Sequence, residues 1–297
     1  MLTNKVMKKI LITGGSGLLG QYINIEADKF SKLLTLFNSN VGNCNKFNNA
    51  NADIKNFDLL KKLFTSFKPD IVIHTAAITN PVPQPGQTAK EIYETNVNAT
   101  NNIAKLCRQF NSKLIYISTD LVYAGYRCSM LSEDAKLIPA SLYAETKLVA
   151  EVKIKEMLKN YVILRLALLY GFGFSHSRSH FHNMNDELKN NRPVKLFTDQ
   201  YRTPIELSEA AKIIIQLAQM DLVNGAINLG GSERVSRFEL GKILCSAAGY
   251  DKSLLQKITL DEIPEVPKVE DVSLNTDKLQ SLGIKTKTIE ENISKLI

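Results

Sequence analysis

Apolar residues in the first half of this chain come in short continuous runs separated by longer amphipathic stretches. Lys9-Ile10-Leu11-Ile12, Leu33 to Phe37, Ile71-Val72-Ile73-His74, Leu114 to Ile117 and Tyr161 to Leu166 have the length and composition of buried strands. Leu18 to Ala27, Phe57 to Phe67, Ala89 to Phe110 and Ser141 to Leu158 lie between or beside them and read as helices. Lys68-Pro69-Asp70 closes the second of these, because proline cannot continue a helix. Such alternation predicts an α/β fold, a parallel sheet with helices on both faces. Beyond Gly171 the rhythm loosens into a loop rich in Ser, His and Arg, then shorter helices near Ser208–Met220 and Phe238–Ala248, and a proline-punctuated tail. Residues 1–170, with a return segment around 199–224, form the expected first domain; 171–198 and 225–297 form a second, smaller lobe.

Composition changes this picture little. The 297 residues can bury a large core as one two-lobed unit. No apolar run approaches the ~18 residues of a membrane span, and Met1 to Met7 lack the apolar stretch of a signal peptide. Cys44, Cys107, Cys128 and Cys245 are scattered, with neither metal spacing nor a disulfide rhythm, so a reducing cytoplasm is the expected home. The formal charge of +7 suits a phosphate-bearing ligand or a lysine-rich surface, but no basic block interleaved with aromatics points to nucleic acid.

Chemistry first enters at Thr13-Gly14-Gly15-Ser16-Gly17-Leu18-Leu19-Gly20, between the first strand and the first helix. Glycines at 14, 17 and 20 let the chain turn tightly, let its backbone approach a pyrophosphate, and let helix pack on strand. The helix start adds unpaired N–H groups and the positive end of its dipole. This predicts a Rossmann-type doubly wound sheet holding a dinucleotide. Loops after the other strands then line the cofactor crevice: Asn38-Ser39-Asn40, Asp53-Ile54 and Ala76-Ala77. No Asp or Glu stands between Leu33 and Asn40 to bond an adenosine ribose, so NADP(H) is favoured over NAD(H), although no arginine clamp accompanies it.

Tyr143 and Lys147 follow at i, i+4 on the helix after the strand ending in Ser118-Thr119. An ammonium beside a phenol favours the phenolate, so Lys147 is expected to lower the Tyr143 pKa, as a general acid near neutral pH requires. Thr119 can bond and polarise the same carbonyl oxygen. A surface tyrosine and a solvated lysine are the plainer alternative; the preceding strand and the glycine loop weigh against it.

Together these stretches resemble an extended short-chain dehydrogenase/reductase, most similar to the dTDP-4-dehydrorhamnose reductase branch of nucleotide-sugar reductases. TGGSGLLG (13–20), ADI (52–54), HTAA (74–77), Asn96 in TNVNAT, STDLVYAG (118–125), YAETK (143–147), LRLALLYG (164–171), DQYRTP (199–204) and DVSLNTDKLQSLGI (271–284) occur in family order. The resemblance implies a catalytic triad of Thr119, Tyr143 and Lys147. It implies cofactor contacts from Gly14, Gly17, Leu18, Leu19, Asp53, Ile54, Ala76 and Ala77, with Lys147 also holding the nicotinamide ribose and Asn96 bracing the site. The implied reaction is NAD(P)H-dependent reduction of a nucleotide-linked 4-keto-6-deoxy sugar, with a homodimer as the assembly considered.

Departures from the family pattern bear on the substrate. Leu121 and Leu168 stand where rhamnose-pathway reductases commonly carry Tyr and Trp, and Lys268-Val269 replaces their Arg-Pro. The active-site cysteine of the family's epimerising reductases has no counterpart at Leu121. Arg178 and Arg202 are candidates for a substrate phosphate, and a structural ion pair is the competing role for Arg202. His176, His180 and His182 crowd the same loop as Arg178 without carboxylate or cysteine at ligand spacing, so no metal is expected. Two other functions fit the same fold: a non-catalytic NADP-binding regulatory subunit resembling the methionine adenosyltransferase beta subunit, and an NAD-dependent nucleotide-sugar epimerase or dehydratase. The dehydratases usually carry a second acid after Asp120, where this chain has Leu121.

Overall fold

The computed structural model describes residues 7–80, 86–123, 125, 129–174 and 176–297; Met1 to Val6, Ala124, Cys128 and Ser175 lie outside them. The apolar runs form strands β1 (Lys9–Thr13), β2 (Lys32–Phe37), β4 (Ile71–His74), β5 (Lys113–Thr119) and β6 (Tyr161–Leu166), and the short polar stretch Asn49–Asn51 forms β3. With the late strand Gly225–Leu229 they build one seven-stranded sheet, ordered β3-β2-β1-β4-β5-β6 and then 225–229. All these pairings are parallel. The order reverses direction between β1 and β4, and in open parallel sheets ligands bind at such a point, beyond the carboxyl ends of the strands.

Both faces of the sheet's inner strands are buried, which is why these strands carry continuous apolar runs rather than apolar residues at alternate positions. Ile10, Ile12, Ile73, Ile115 and Leu164 face one side, against Leu19 and Ile23 of α1 (Leu18–Asp28). Leu11, Leu36, Val72, Leu114 and Ile163 face the other, against Leu60 and Phe64 of α2 (Phe57–Phe67). Each such side chain contributes about 1.5–3 kcal/mol by leaving water. Asn56 starts α2 by accepting the Leu59 N–H at 3.0 Å. Lys68 ends it in a left-handed conformation, φ 51°, ahead of Pro69.

Two expectations from sequence need correction. The stretch 89–110 is not one uniform helix: α3 (Ala89–Tyr93) runs through a π-helical turn, Glu94–Asn98, into α4 (Ala99–Phe110). Hydrophobic periodicity does not register one extra residue in a turn. The return to the first lobe also does not stop at 224, because 225–229 pairs with β6 from Gly225↔Val162 to Leu229↔Leu166. Its apolar Ile227 and Leu229 complete the sheet core.

The helix over 141–158 appears as α5 (Leu142–Met157), with Ser141 as its cap. Three later helices are α6 (His180–Lys189), α7 (Leu207–Gln219) and α8 (Arg237–Ala248). Helix α7 packs on the first lobe through Ile214 and Leu217, while Phe181, Met184, Leu240 and Leu244 of α6 and α8 form a separate core with Tyr170, Ile289 and Ile293. A parallel strand pair, Val194–Phe197 with Leu255–Ile258, lies in the second lobe. No helix among the described residues is long and apolar enough to cross a membrane.

Candidate functional site

One cavity of about 1040 Å³ runs along the carboxyl ends of the sheet strands into the second lobe. Its walls include Gly14, Gly17, Leu18, Leu19, Asn38, Ser39, Asp53, Ile54, Ala76 and Ala77, then Thr119 and Tyr143, then Arg178 and Arg202. Residues far apart in sequence thus share one surface, because each follows a strand of the same sheet.

The glycine loop is shaped for close approach. Gly14 holds φ +70°, and a Cβ there would lie 2.7 Å from the Ala76 nitrogen. A Cβ on Gly20 would come within 2.1 Å of the Gly14 carbonyl oxygen, so helix α1 can reach the loop only without a side chain at that point. Gly17 caps α1 with extended backbone, leaving the first-turn N–H groups to face the cavity. Asn38 and Ser39 continue this wall, and Asp53 turns back to accept the Lys55 N–H at 2.9 Å and to pair with its ammonium at 3.6 Å.

The two hydroxyl groups lie where β5 meets α5. Ser141 accepts the Ala144 N–H at 3.3 Å, fixing the first turn that carries Tyr143. The Thr119 hydroxyl donates to Asp120 Oδ1 at 3.1 Å and accepts from the Leu121 N–H at 3.2 Å. Burial drives the Tyr143 phenol well above its ordinary pKa and the Asp120 carboxylate adds to the rise, while the neighbouring Thr119 hydroxyl opposes it.

Lys147 does not play the part expected of it in this state. It is 2% exposed, and its Nζ lies over the Tyr116 ring, 4.0 Å from the centroid. Burial lowers its pKa to about 7 against the opposing pull of Glu151. The expected depression of the Tyr143 pKa by Lys147 is therefore absent. A desolvated ammonium that readily gives up its proton, and that sits on another ring, exerts no resolved pull on the phenol. Lys147 also stands behind the cavity wall, unlike the other predicted cofactor residues.

A buried polar frame supports this wall. Glu151, one turn beyond Lys147, receives Arg165 Nη2 at 2.9 Å, Arg165 Nε at 3.2 Å and the Ser118 hydroxyl at 2.6 Å. His74 is bonded on both ring nitrogens, to Thr13 Oγ1 at 2.6 Å and Thr100 Oγ1 at 2.8 Å. Its pKa falls to about 3 through burial and the Lys147 charge, so the ring stays neutral. Asn96, in the π-helical turn, clamps the Ile78 backbone N–H and C=O, each at 2.9 Å, and reaches Thr146 at 3.0 Å. The extra residue of the turn turns this side chain inward.

Beyond Thr119 the wall changes character. Leu121 and Leu168 line the cavity. Val269 does so as well, whereas Lys268 is exposed and paired with Asp261 at 2.5 Å. Arg202 is buried, its Nε 3.6 Å from Asp120 Oδ2 and its Nη1 donating to the Tyr201 carbonyl at 2.6 Å. Arg237, the first residue of α8, also faces the cavity and donates its Nε to Gln200 at 2.9 Å. The sequence reading overlooked it, since a single arginine after a capping serine carries no pattern.

Arg178 is exposed and bonded to Asn183 at 2.7 Å and to Asp186. Its neighbour Ser177 donates to the Ser16 carbonyl at 3.3 Å, so this segment straps the second lobe to the glycine loop. Tyr22 adds a hydrogen bond to the Phe172 carbonyl at 2.7 Å. Of the histidines, His176 and His180 face the cavity, and His182 accepts the Gly173 N–H at 3.3 Å. No group of three or more His, Cys, Asp or Glu among the described residues is placed to hold a metal.

Residues 7–297 match the family model described as the RmlD substrate binding domain. Methionine adenosyltransferase 2 subunit beta of Rattus norvegicus is 27% identical over 95% of this chain and 84% of its own. The dTDP-4-dehydrorhamnose reductase of Aggregatibacter actinomycetemcomitans is 26% identical over 88% of this chain and 84% of its own. In three dimensions, the crystal structure of dTDP-4-dehydrorhamnose reductase from Bacillus anthracis in complex with NADP superposes with a TM-score of 0.85 at 23% identity, covering 98% of each chain.

Proposed function

The chain belongs to the family of the RmlD substrate binding domain, and from that membership we propose that it is an NAD(P)H-dependent reductase of a nucleotide-linked 4-keto-6-deoxy sugar, resembling dTDP-4-dehydrorhamnose reductase. One observation carries the reading. The hydroxyl-bearing Thr119 and Tyr143 stand in the same cavity wall that holds the glycine loop.

The loop residues fit a dinucleotide, because Gly14, Gly17 and Gly20 line the cavity at the start of α1 with no side chain between the ligand and the backbone. When bound, the nicotinamide supplies the hydride that reduces the keto carbon. The protein supplies the proton and the orientation. Tyr143 gives its proton to the carbonyl oxygen as negative charge gathers there, and Thr119 holds the same oxygen by hydrogen bonding. The raised phenol pKa keeps that proton in place at neutral pH. Lys147 lies against Tyr116 and one turn from Tyr143, placed to hold a ribose hydroxyl once it moves off the ring. Arg202 is the substrate-side cation, and Arg178, beside the glycine loop, serves a diphosphate from the strap. The first domain, 1–170 with the return segment now extended to 229, holds the cofactor, and the remainder closes over the sugar.

NADP(H) is the preferred cofactor, on the ground that Asn38-Ser39-Asn40 carries no carboxylate to bond an adenosine ribose. Titrating NADPH and NADH against the purified protein tests this, and tighter NADH binding overturns the preference. The reaction is tested with a panel of nucleotide-linked 4-keto-6-deoxy sugars, following NADPH oxidation.

The likeness to the methionine adenosyltransferase beta subunit supports a second reading, a regulatory NADP-binding subunit. Tight NADPH binding with no turnover on the panel would favour it.

A further inference from the structure

One stretch of the cavity wall next to Thr119 brings together two guanidinium groups and one carboxylate: Arg202, Arg237 and Asp120. Their pairing is incomplete. Arg237 Nη1 and Asp120 Oδ2 are both buried without a hydrogen-bond partner among the described residues, and the nearest ionic approach, Arg202 Nε to Asp120 Oδ2, is 3.6 Å. Arg237 spends only its Nε, on Gln200. Buried polar groups nearly always have partners, and a charged one left without costs the most. These three groups carry one net positive charge, the further pull of Asp271 on Arg202 being shared with its partner Arg234, and the open donor belongs to a residue of the cavity wall.

We propose that Arg237 is a specificity-determining residue that donates Nη1 to the diphosphate of the substrate, beside Arg202. This rests on the nucleotide-sugar reading of the site and adds a further donor to the diphosphate that reading gives to Arg178 and Arg202. A guanidinium fork matches phosphate oxygens in geometry and charge. The anion would also separate two like charges: burial and the neighbouring Arg202 charge together lower the Arg237 pKa to about 9 against the opposing pull of Asp120. Asp120 directly follows Thr119 in the chain, so an anion held at this cluster lies close to the hydroxyl pair. A diphosphate on the sugar's anomeric carbon lies across the ring from C4, so with the keto carbon at Tyr143 it would meet this same wall a ring's width away. Ser236 and Glu239 fix the residue itself through a reciprocal capping box, Glu239 N–H to Ser236 Oγ at 3.1 Å and Ser236 N–H to Glu239 Oε2 at 2.7 Å. The arginine therefore leaves a rigid helix start.

Calorimetric titration of the NADP-saturated protein with dTDP, UDP and GDP, and with the matching nucleosides, tests the proposal. Saturation keeps the probes out of the cofactor end. Arg237→Gln should weaken the best nucleoside diphosphate roughly 10- to 100-fold, the span of a hydrogen bond to a charged group. Affinity for the nucleoside and for NADPH should stay the same, and the thermal midpoint of the empty variant should not fall. Arg237→Lys, which keeps the charge and loses the fork, should lie between the two; it also serves as the test if the glutamine variant does not fold. Equal diphosphate affinity in wild type and both variants overturns the proposal and leaves the nucleotide-sugar reading standing. A wild-type protein that binds NADPH but none of the diphosphates overturns that reading, and this proposal with it.

Discussion

The glycine-loop end of the cavity and its arginine end solve the problem of ligand binding in opposite ways. At the first, backbone and small side chains make the wall, and Gly14, Gly17, Ala76 and Ala77 exclude bulk so that a ligand can meet main-chain N–H groups. At the second, charged side chains make the wall, and two of their polar atoms are buried without a hydrogen bond among the described residues. The first surface is complete without a ligand, since its shape is set by strand register and helix packing. The second is not complete, since its charges do not balance. Shape complementarity is held in the fold; charge complementarity waits for an anion. Thr119 and Tyr143 stand where the two ends meet.

The largest test of this division is at the junction. Tyr143→Phe should lower kcat by ~10²–10⁴-fold, the usual worth of a general acid, and leave NADPH affinity nearly unchanged in a fluorescence titration. Full reductase activity in that variant would rule out the mechanism. Lys147→Ala should cross the division, reducing both turnover and NADPH affinity, each by roughly 10- to 100-fold on the scale of a charge-assisted hydrogen bond. A loss confined to kcat would remove Lys147 from cofactor binding.

The arginines sharpen the comparison further. Arg202→Ala and Arg178→Ala should each raise the KM for the nucleotide-sugar by roughly tenfold with kcat little changed, as loss of contact equal in ground and transition state predicts. Arg178 sits in the strap against the glycine loop, so its variant is to be assayed with each ligand varied in turn. A rise in the NADPH KM alone would move Arg178 to the cofactor end. Unchanged constants in both variants would return them to structural roles.

The smallest effect is a pH dependence of the empty protein. Lys147 titrates near 7 when folded, against an ordinary value of 10.5. Between those values the unfolded chain binds more protons, so this residue makes stability rise with pH above about 7 and contributes no slope below it. Wild type should therefore gain roughly 2 °C or more in Tm between pH 7 and 9 relative to Lys147→Met, given ~2–4 °C per kcal/mol in large domains. Parallel profiles for the two proteins would show that the ammonium is not desolvated.

Much of the first lobe was legible because its information is local. A strand buried on both faces is apolar throughout, a glycine loop must lie between strand and helix, and i, i+4 spacing puts Tyr143 and Lys147 on one helix. What escaped depends on partners distant in sequence. Nothing in Gly225–Leu229 alone says that it pairs with β6, because a short apolar strand suits either lobe. The π-helical turn at Glu94–Asn98 escaped for a different reason, since one added residue hardly disturbs an amphipathic pattern. Lys147 was misjudged in its electrostatics: spacing placed it near Tyr143, but only packing shows its Nζ on Tyr116 and its charge opposed by burial. Arg237 was invisible for the same reason, since its interest lies in what fails to meet it.

The last strand of the sheet has a consequence for how the protein is made. Until Gly225–Leu229 leaves the ribosome, β6 is an open edge, with Val162, Ile163 and Leu164 beside a row of unpaired backbone groups. Such an edge is a template for strands from other chains. The nucleotide-binding lobe thus cannot be finished and set aside while the rest is synthesised, as an N-terminal domain ordinarily can. A nascent chain stalled before Gly225 carries this adhesive edge. Only the return segment of the first lobe, ending at Leu229, closes it.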